Sequence, residues 1–198
     1  MTKDFNNIRV AVTGGIGSGK SVMCSRLAKR GINVYDCDAA AKMLMRTDKE
    51  LQRQLASLVG EAVYIEGQLQ KQVLATFLLA SEEHKQQVND VVHPAVARHF
   101  MQSGYRWLES AILFDSRFDT RIDFDCVVCV TAPLELRIQR VMDRDHISRA
   151  KTLEWIGRQM PQEEVVRRST YQLVSGRDDV EKQVDDMLLQ MHRDFDGV

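Results

Sequence analysis

A glycine-rich segment between an apolar run and an amphipathic segment constrains the fold of this chain more than any other feature. The segment reads Gly14-Gly-Ile-Gly-Ser-Gly-Lys-Ser21 and fits the pattern G-x-x-x-x-G-K-[ST]. It follows residues 8–13, which are mostly β-branched, and precedes residues 21–30, whose apolar side chains recur at helical spacing. This order predicts a strand, a phosphate-binding loop and a helix.

The residue types of the loop indicate how it would hold a nucleotide. Glycines let backbone N–H groups turn around phosphate oxygens, and the helix that follows presents its positive end. We expect ATP to bind here, with Mg²⁺. Lys20 would neutralise the β and γ phosphates, and the Ser21 hydroxyl would ligate the metal. The other expected nucleotide contacts in the loop are Gly15, Gly17, Ser18, Gly19 and Val22. The alternative is a glycine-rich turn with a chance lysine and serine.

The rest of the chain alternates between short β-rich runs and helical segments. Further strands are predicted at residues 32–35, at 105–108 with a continuation toward 113, and at 126–131 and 172–174. Helices are predicted at residues 51–59, 72–79, 82–92, 134–143, 148–160 and 180–191. Strands separated by helices indicate a parallel sheet that is covered on both faces. The predicted fold is therefore α/β, a three-layer P-loop kinase fold with a five-stranded parallel sheet.

Two long insertions interrupt this alternation. With 198 residues, the chain suits a single domain, residues 1–198. The gap of about 70 residues between the second and third strands exceeds the dozen or so that a crossover needs. It predicts a helical substrate lobe at about 39–102. The arginine-rich segment at about 143–168 predicts a mobile lid.

Composition limits the partners that we expect. The net charge of −1 argues against nucleic acid, and no apolar run is long enough to cross a membrane. We therefore expect a cytoplasmic protein, and the sequence predicts no oligomeric state. Cys126 and Cys129 form a C-x-x-C pattern that could suggest a metal site. Because this spacing puts the two side chains on opposite faces of a strand, we favour buried, reduced thiols.

Carboxylates follow the second and third predicted strands. Asp36-Cys-Asp38 ends the second strand, where a carboxylate can orient a hydroxyl group and accept its proton. Asp38 could equally cap the alanine-rich helix that follows. Glu109 ends the third strand, and it is either a carboxylate near the metal or a solvated charge at the edge of the sheet.

Three arginines, Arg137, Arg140 and Arg144, share one face of a predicted helix. Like charges at this spacing repel one another unless an anion compensates. A triphosphate would compensate them, since guanidinium groups present paired donors to phosphate oxygens. The alternative is neutralisation by acidic neighbours on a solvated helix.

Four motifs together resemble the dephospho-CoA kinase family. They are Gly14–Ser21, Gly31-Ile-Asn-Val-Tyr-Asp-Cys-Asp38, His93-Pro94 and Arg140-Val-Met-Asp-Arg-Asp145, and the resemblance covers roughly residues 8–160. It implies transfer of the γ-phosphate of ATP to the 3′-hydroxyl of dephospho-CoA, giving CoA and ADP, the last step of CoA biosynthesis. The alternatives are a P-loop kinase for another small hydroxyl compound or a nucleoside monophosphate, and a nucleotide-dependent switch without turnover.

The resemblance also implies roles for individual residues. Asp38 would be the catalytic base, assisted by Lys20 and Arg140, while Asp36 would support the position of Asp38 or the metal shell. Arg144 would face the nucleotide phosphates and Arg149 would belong to the lid. In the insertion, which would bind CoA, His93 would lie near the acceptor unless it merely ends a helix before Pro94. Lys71 stands where arginine is common, Ser175 stands where asparagine is usual, and Glu109 has a polar role.

Overall fold

The computed structural model describes residues 4–176 and 179–196. The chain forms two compact units. One comprises residues up to Tyr35 and from Tyr105 onward, and the other is Asp36–Gly104.

The first unit is built on a five-stranded sheet. The sheet has the order β2-β5-β1-β6-β7. Its strands are β1 (Val10–Thr13), β2 (Val34–Asp36, whose last residue is the first of the second unit), β5 (Trp107–Glu109), β6 (Cys126–Thr131) and β7 (Tyr171–Val174). The pairs β1–β5, β1–β6 and β6–β7 are parallel, and Val10 lies opposite both Trp107 and Cys126. The carboxyl ends of these strands therefore share one edge of the sheet, where open α/β sheets bind their ligands.

Helices cover both faces of this sheet. The helices of the unit are α1 (Lys20–Ala28), α6 (Phe118–Arg121), α7 (Leu134–Asp145), α8 (Arg149–Gly157), α9 (Gln162–Arg167) and α10 (Val180–Asp196). Apolar residues of α1 and α10 pack with Val10, Val12 and Val128 in one buried cluster. Ala11 and Cys129 alternate with these residues along their strands and are fully buried on the other face, where α9 contacts β6. The predicted three-layer α/β architecture with a five-stranded parallel sheet is confirmed.

Burial on both faces accounts for the two sheet cysteines. Cys126 is 3% exposed and Cys129 is completely buried, and they face opposite sides of β6. Burial raises the pKa of Cys126 to about 12 and that of Cys129 to about 11. The predicted burial of both thiols is confirmed, and neither cysteine forms a disulfide.

The second unit is helical with one small hairpin. Its helices are α2 (Cys37–Thr47), α3 (Lys49–Val59), α4 (Lys71–Ala80) and α5 (Glu82–Gln102), and the hairpin pairs β3 (Tyr64–Ile65) with β4 (Gln68–Leu69). The long helix α5 packs against the other three helices of the unit. Asp48 caps α3 by accepting the N–H groups of Glu50 and Leu51.

Several predicted boundaries shift. The helix predicted for residues 82–92 continues to Gln102 and contains Pro94, so the alternative in which His93 ends a helix is wrong. The helix predicted for residues 148–160 ends at Gly157, and the separate helix α9 follows. The hairpin between Tyr64 and Leu69 was not predicted, because its two-residue strands are too short to show alternation. Across residues 4–176 and 179–196, each helix lacks either the length or the apolar character that a bilayer crossing needs.

Candidate active site

The glycine-rich loop lies at the carboxyl end of β1, and its glycines allow close approach to backbone atoms. A methyl group on Gly14 would lie 2.1 Å from the carbonyl oxygen of Val130 in β6. A methyl group on Gly17 would lie 2.5 Å from the carbonyl oxygen of Arg137 in α7, and Gly17 has a φ of +77°. Backbone oxygens cannot move aside as flexible side chains can, so both positions require glycine.

The loop ends at the first turn of α1. Gly19 occupies the N-cap position with a left-handed backbone, and no side chain caps the helix. The first N–H groups of a helix have no partner within it, and the helix dipole adds positive potential there. Lys20 and Ser21 therefore begin a helix whose end suits an anion, and the Ser21 side chain is exposed at that end.

Ser18 lies in the middle of the loop and is completely buried. Its N–H donates to the carbonyl oxygen of Gly15 at 3.1 Å. Its hydroxyl oxygen has no hydrogen-bond partner among the described residues. A buried hydroxyl without a partner is costly, and it fits a loop that takes up a polar ligand such as a polyphosphate.

Lys20 reaches back across the loop. Its ammonium group donates to the carbonyl oxygen of Gly14 at 2.6 Å and lies 3.7 Å from Oε1 of Glu109. The side chains of Lys20 and Glu109 are only 11% and 21% exposed. The alternative in which Glu109 is a solvated edge charge is therefore wrong. The arrangement keeps the Lys20 ammonium group beside the loop and the Glu109 carboxylate next to that ammonium group.

Two arginines of α7 bind the loop through its carbonyl groups. Arg137 Nε donates to the oxygen of Ile16 at 3.0 Å, and Arg140 Nη1 donates to the oxygens of Gly17 at 3.2 Å and Ser18 at 3.3 Å. Arg137 is 6% exposed, and its burial lowers the pKa of the guanidinium. These bonds satisfy carbonyl groups that would otherwise repel a phosphate, so the loop can present its N–H groups.

The other two predicted arginines pair with carboxylates. Arg144 bonds Asp145 at 2.7 Å. Arg149 binds Glu135 through two bonds of 2.7 Å, and this pairing holds the pKa of the Glu135 carboxyl below its usual range. Both pairs are exposed, so they are weak. The roles predicted for Arg144 and Arg149 toward phosphate and in the lid stay predictions.

One contact to the loop had no signal in the sequence. Oε1 of Gln159, which follows α8, accepts the N–H of Ile16 at 2.8 Å. A glutamine in an arginine-rich segment has no charge, and the position of Gln159 follows no spacing pattern, which explains why it was not predicted.

In the second unit, the aspartates that flank Cys37 have different environments. Asp36 is the N-cap of α2, and its Oδ1 accepts the N–H of Ala39 at 2.9 Å. Asp38 lies in the first turn of the helix with an exposed side chain. The capping role that the sequence offered to Asp38 therefore belongs to Asp36.

The other predicted residues of this unit lie on two helices. His93 is half-buried in the middle of α5, and Lys71 is exposed at the start of α4. Their predicted contacts with substrate stay predictions.

A metal would have to depend on few protein ligands here. Among the described residues, no three His, Cys, Asp or Glu side chains cluster as a metal-binding group. The Ser21 hydroxyl and the Glu109 carboxylate are oxygen donors of the kind that Mg²⁺ uses when it is held mainly by phosphates and water.

Comparison with known proteins identifies the family. The family model for dephospho-CoA kinase matches residues 8–179. The dephospho-CoA kinase of Bacteroides fragilis is 41% identical over 175 residues, which covers 85% of this chain and 84% of that protein. The chain belongs to the dephospho-CoA kinase family. The resemblance seen in its four motifs is thus confirmed.

Two solved structures share the fold of this chain. The structure of TT1252 from Thermus thermophilus superposes with a TM-score of 0.78 at 32% identity, covering 92% of this chain and 96% of that chain. Dephospho-CoA kinase from Campylobacter jejuni gives a TM-score of 0.65 at 17% identity, covering 96% and 98%. At that identity the second likeness supports the fold alone.

Proposed function

We propose that this chain phosphorylates the 3′-hydroxyl of dephospho-CoA with ATP, giving CoA and ADP, the last step of CoA biosynthesis. The observation that carries this conclusion is the family match over residues 8–179. The loop geometry is independent support, because closely packed glycines, a helix N-terminus and Lys20 suit a polyphosphate.

ATP would bind along the loop and the start of α1. The proposed contacts are Gly15, Gly17, Ser18, Gly19, Lys20, Ser21 and Val22, with Arg140 and Arg144 from α7. Lys20 would neutralise charge on the transferring phosphoryl group, because its ammonium already lies at the loop. Arg140 bonds two loop carbonyls and retains further N–H donors on its guanidinium for a phosphate oxygen.

Mg²⁺ would accompany ATP, held by the Ser21 hydroxyl and supported by Glu109. When bound, it would neutralise charge shared between the β and γ phosphates. Glu109 also forms an ion pair with Lys20 at 3.7 Å, so it would help to fix the orientation of the Lys20 ammonium group.

The acceptor would be activated by Asp38. Its exposed carboxylate would take the proton of the 3′-hydroxyl as the new oxygen–phosphorus bond forms and the bond to ADP breaks. Asp36 would support this residue by fixing the first turn of α2. The insertion at about 39–102 would bind CoA, with His93 and Lys71 as contacts. The segment at about 143–168, including Arg149, would act as the lid of a single kinase domain.

A cytoplasmic location is part of the proposal. The described cysteines Cys24, Cys37, Cys126 and Cys129 form no disulfide, which fits a reducing compartment. The net charge of −1 fits a small-molecule partner rather than nucleic acid.

The test is an acceptor panel with purified protein, ATP and Mg²⁺, followed by mass detection of the products. We expect dephospho-CoA to gain one phosphate and ADP to form in equal amount. Phosphorylation of a nucleoside monophosphate with no reaction of dephospho-CoA would overturn the proposal in favour of another P-loop kinase. ATP binding without any phosphorylated product would indicate a nucleotide-dependent switch.

A further inference from the structure

Residues 158–162 run from the end of α8 to the first residue of α9 and make three hydrogen bonds to other parts of the first unit. We call these residues the arm. Gln159 Oε1 accepts the N–H of Ile16 at 2.8 Å, and the N–H of Met160 donates to Asp115 Oδ2 at 3.3 Å. Gln162 Oε1 accepts the N–H of Ala132 at 3.3 Å. Of these three bonds, only the first reaches the glycine-rich loop.

Ile16 is thereby held on both sides of its backbone. Its N–H donates to Gln159, and its carbonyl oxygen accepts from Arg137 Nε at 3.0 Å. Gly15 makes room for both groups. A methyl group on Gly15 would lie 2.4 Å from Nη2 of Arg137 and 3.1 Å from Oε1 of Gln159. The two side chains thus fix the orientation of one loop residue immediately before Gly17.

The chemistry of a carboxamide suits this position. A neutral oxygen accepts the amide proton without placing negative charge beside a polyphosphate, whereas a carboxylate would add repulsion at short range. A loop whose backbone is held before the ligand arrives loses less conformational freedom on binding. The contact also connects the arm, and through it α8, to the loop.

We propose that Gln159 is a positioning residue that fastens the arm to the glycine-rich loop and orders the loop for ATP. This inference rests on the proposed kinase function. It assigns a role to a residue outside the four motifs that carry the family resemblance.

The test compares Gln159→Ala and Gln159→Glu with a matched control, Gln162→Ala. The control also removes a glutamine carboxamide from the arm, but the Gln162 carboxamide bonds Ala132 and not the loop. Each variant is assayed for KM for ATP and kcat with dephospho-CoA. The ¹H–¹⁵N resonance of the Ile16 amide and its hydrogen exchange are followed separately, and thermal unfolding verifies that each variant folds.

For Gln159→Ala we expect faster hydrogen exchange of the Ile16 amide. We also expect the KM for ATP to rise about 5-fold, which corresponds to the typical net contribution of one neutral hydrogen bond. The value of kcat should stay within about twofold, because the lost interaction serves bound ATP and the transition state alike. Gln162→Ala should leave the Ile16 amide unchanged and KM within about twofold.

Gln159→Glu should keep the Ile16 amide protected but raise KM more than Gln159→Ala does at pH 8. The ratio of the KM of Gln159→Glu to that of wild type should fall toward pH 6, because phosphates nearby favour protonation of the new carboxylate. This pH dependence separates a position beside the phosphates from a purely structural one, and it remains available if Gln159→Ala fails to fold.

An unchanged Ile16 amide in Gln159→Ala, or equal KM values for the Gln159 and Gln162 variants, would overturn the inference. If wild-type protein does not phosphorylate dephospho-CoA, the proposed function fails alone, since the Ile16 amide still reports whether Gln159 orders the loop.

Discussion

The ammonium group of Lys20 lies 3.7 Å from a carboxylate oxygen of Glu109. Lys20 begins α1 and Glu109 ends β5, so the pair joins the glycine-rich loop to the neighbouring strand at the carboxyl edge of the sheet. A cation that is mostly shielded from water and held by a carboxylate interacts more strongly with a bound phosphate than an exposed lysine would. The pair thus links sheet topology to the expected chemistry.

Lys20→Ala should abolish phosphoryl transfer while the protein stays folded. The change removes the cation expected at the β and γ phosphates, and interactions of this kind contribute roughly 10²–10³-fold to turnover. The side chain is not part of the apolar core, so unfolding should stay cooperative. Kinase assays and circular dichroism melts test this, with the exposed Lys29→Ala as control. Wholesale unfolding of Lys20→Ala would show that Lys20 is structural.

Asp38→Asn should lower kcat by about 10²–10⁴-fold, the usual contribution of a general base, with ATP affinity nearly unchanged. The exposed side chain makes no capping bond, because Asp36 caps α2, so the free energy of unfolding should not fall. Steady-state kinetics and ATP titration measure the two effects. Asp48→Asn is the matched control, since it alters a cap of α3 in the same unit. Unchanged turnover in Asp38→Asn would exclude the assigned role.

Gly17→Ala should weaken ATP binding and destabilise the protein by at least about 1–3 kcal/mol, the typical cost of overpacking. Its methyl group would meet the backbone oxygen of Arg137 at 2.5 Å, and its φ of +77° disfavours a side chain. Gly157→Ala is the control, because a methyl group there has nothing within 4 Å. Calorimetric titration with ATP and thermal unfolding measure both variants. Equal behaviour of the two would contradict the close approach of the loop to α7.

Glu164→Gln should reveal a contribution to stability that depends on pH. Glu164 bonds Arg168 at 2.6 Å and also pairs with Arg167, and these bonds lower the pKa of its carboxyl. The folded protein therefore holds the proton less tightly than the unfolded chain. The contribution should be complete above about pH 5 and disappear as the pH falls through the lowered folded value.

Urea unfolding of wild type and Glu164→Gln between pH 7 and pH 3 measures this difference. Because both arginine partners of Glu164 are exposed to water, the difference should be small at neutral pH. If the difference in the free energy of unfolding between the two proteins grew as the pH fell, the expected sign would be wrong.

Much of the fold could be predicted from local patterns. The strand Cys126–Thr131 is an uninterrupted apolar run, and it proved to be buried on both faces as a parallel strand requires. The loop from Gly14 to Ser21 could be predicted equally well, because its function depends on glycines at fixed positions in the sequence. Boundaries were less accurate where tertiary packing overrides propensity, as in α5, which continues through Pro94.

The site was predicted less completely than the fold, because its contacts join distant segments. The spacing of Arg137 and Arg140 put them on one face, yet it did not reveal that they bind carbonyl groups of the loop. The bond between Gln159 and Ile16 spans 143 positions. Capping by Asp36 rather than Asp38 depends on where the helix begins, which sequence patterns fix only to within a few residues.

The thiols of β6 have a practical consequence. With a pKa of about 12 for Cys126 and about 11 for Cys129, only about one molecule in 10⁴ or fewer carries either thiolate at pH 7. Alkylating reagents attack thiolates and need access to them, so both sulfurs should escape modification for as long as the sheet stays intact. Reaction of Cys126 or Cys129 would then report opening of the sheet, which gives the protein a built-in chemical probe of its own unfolding.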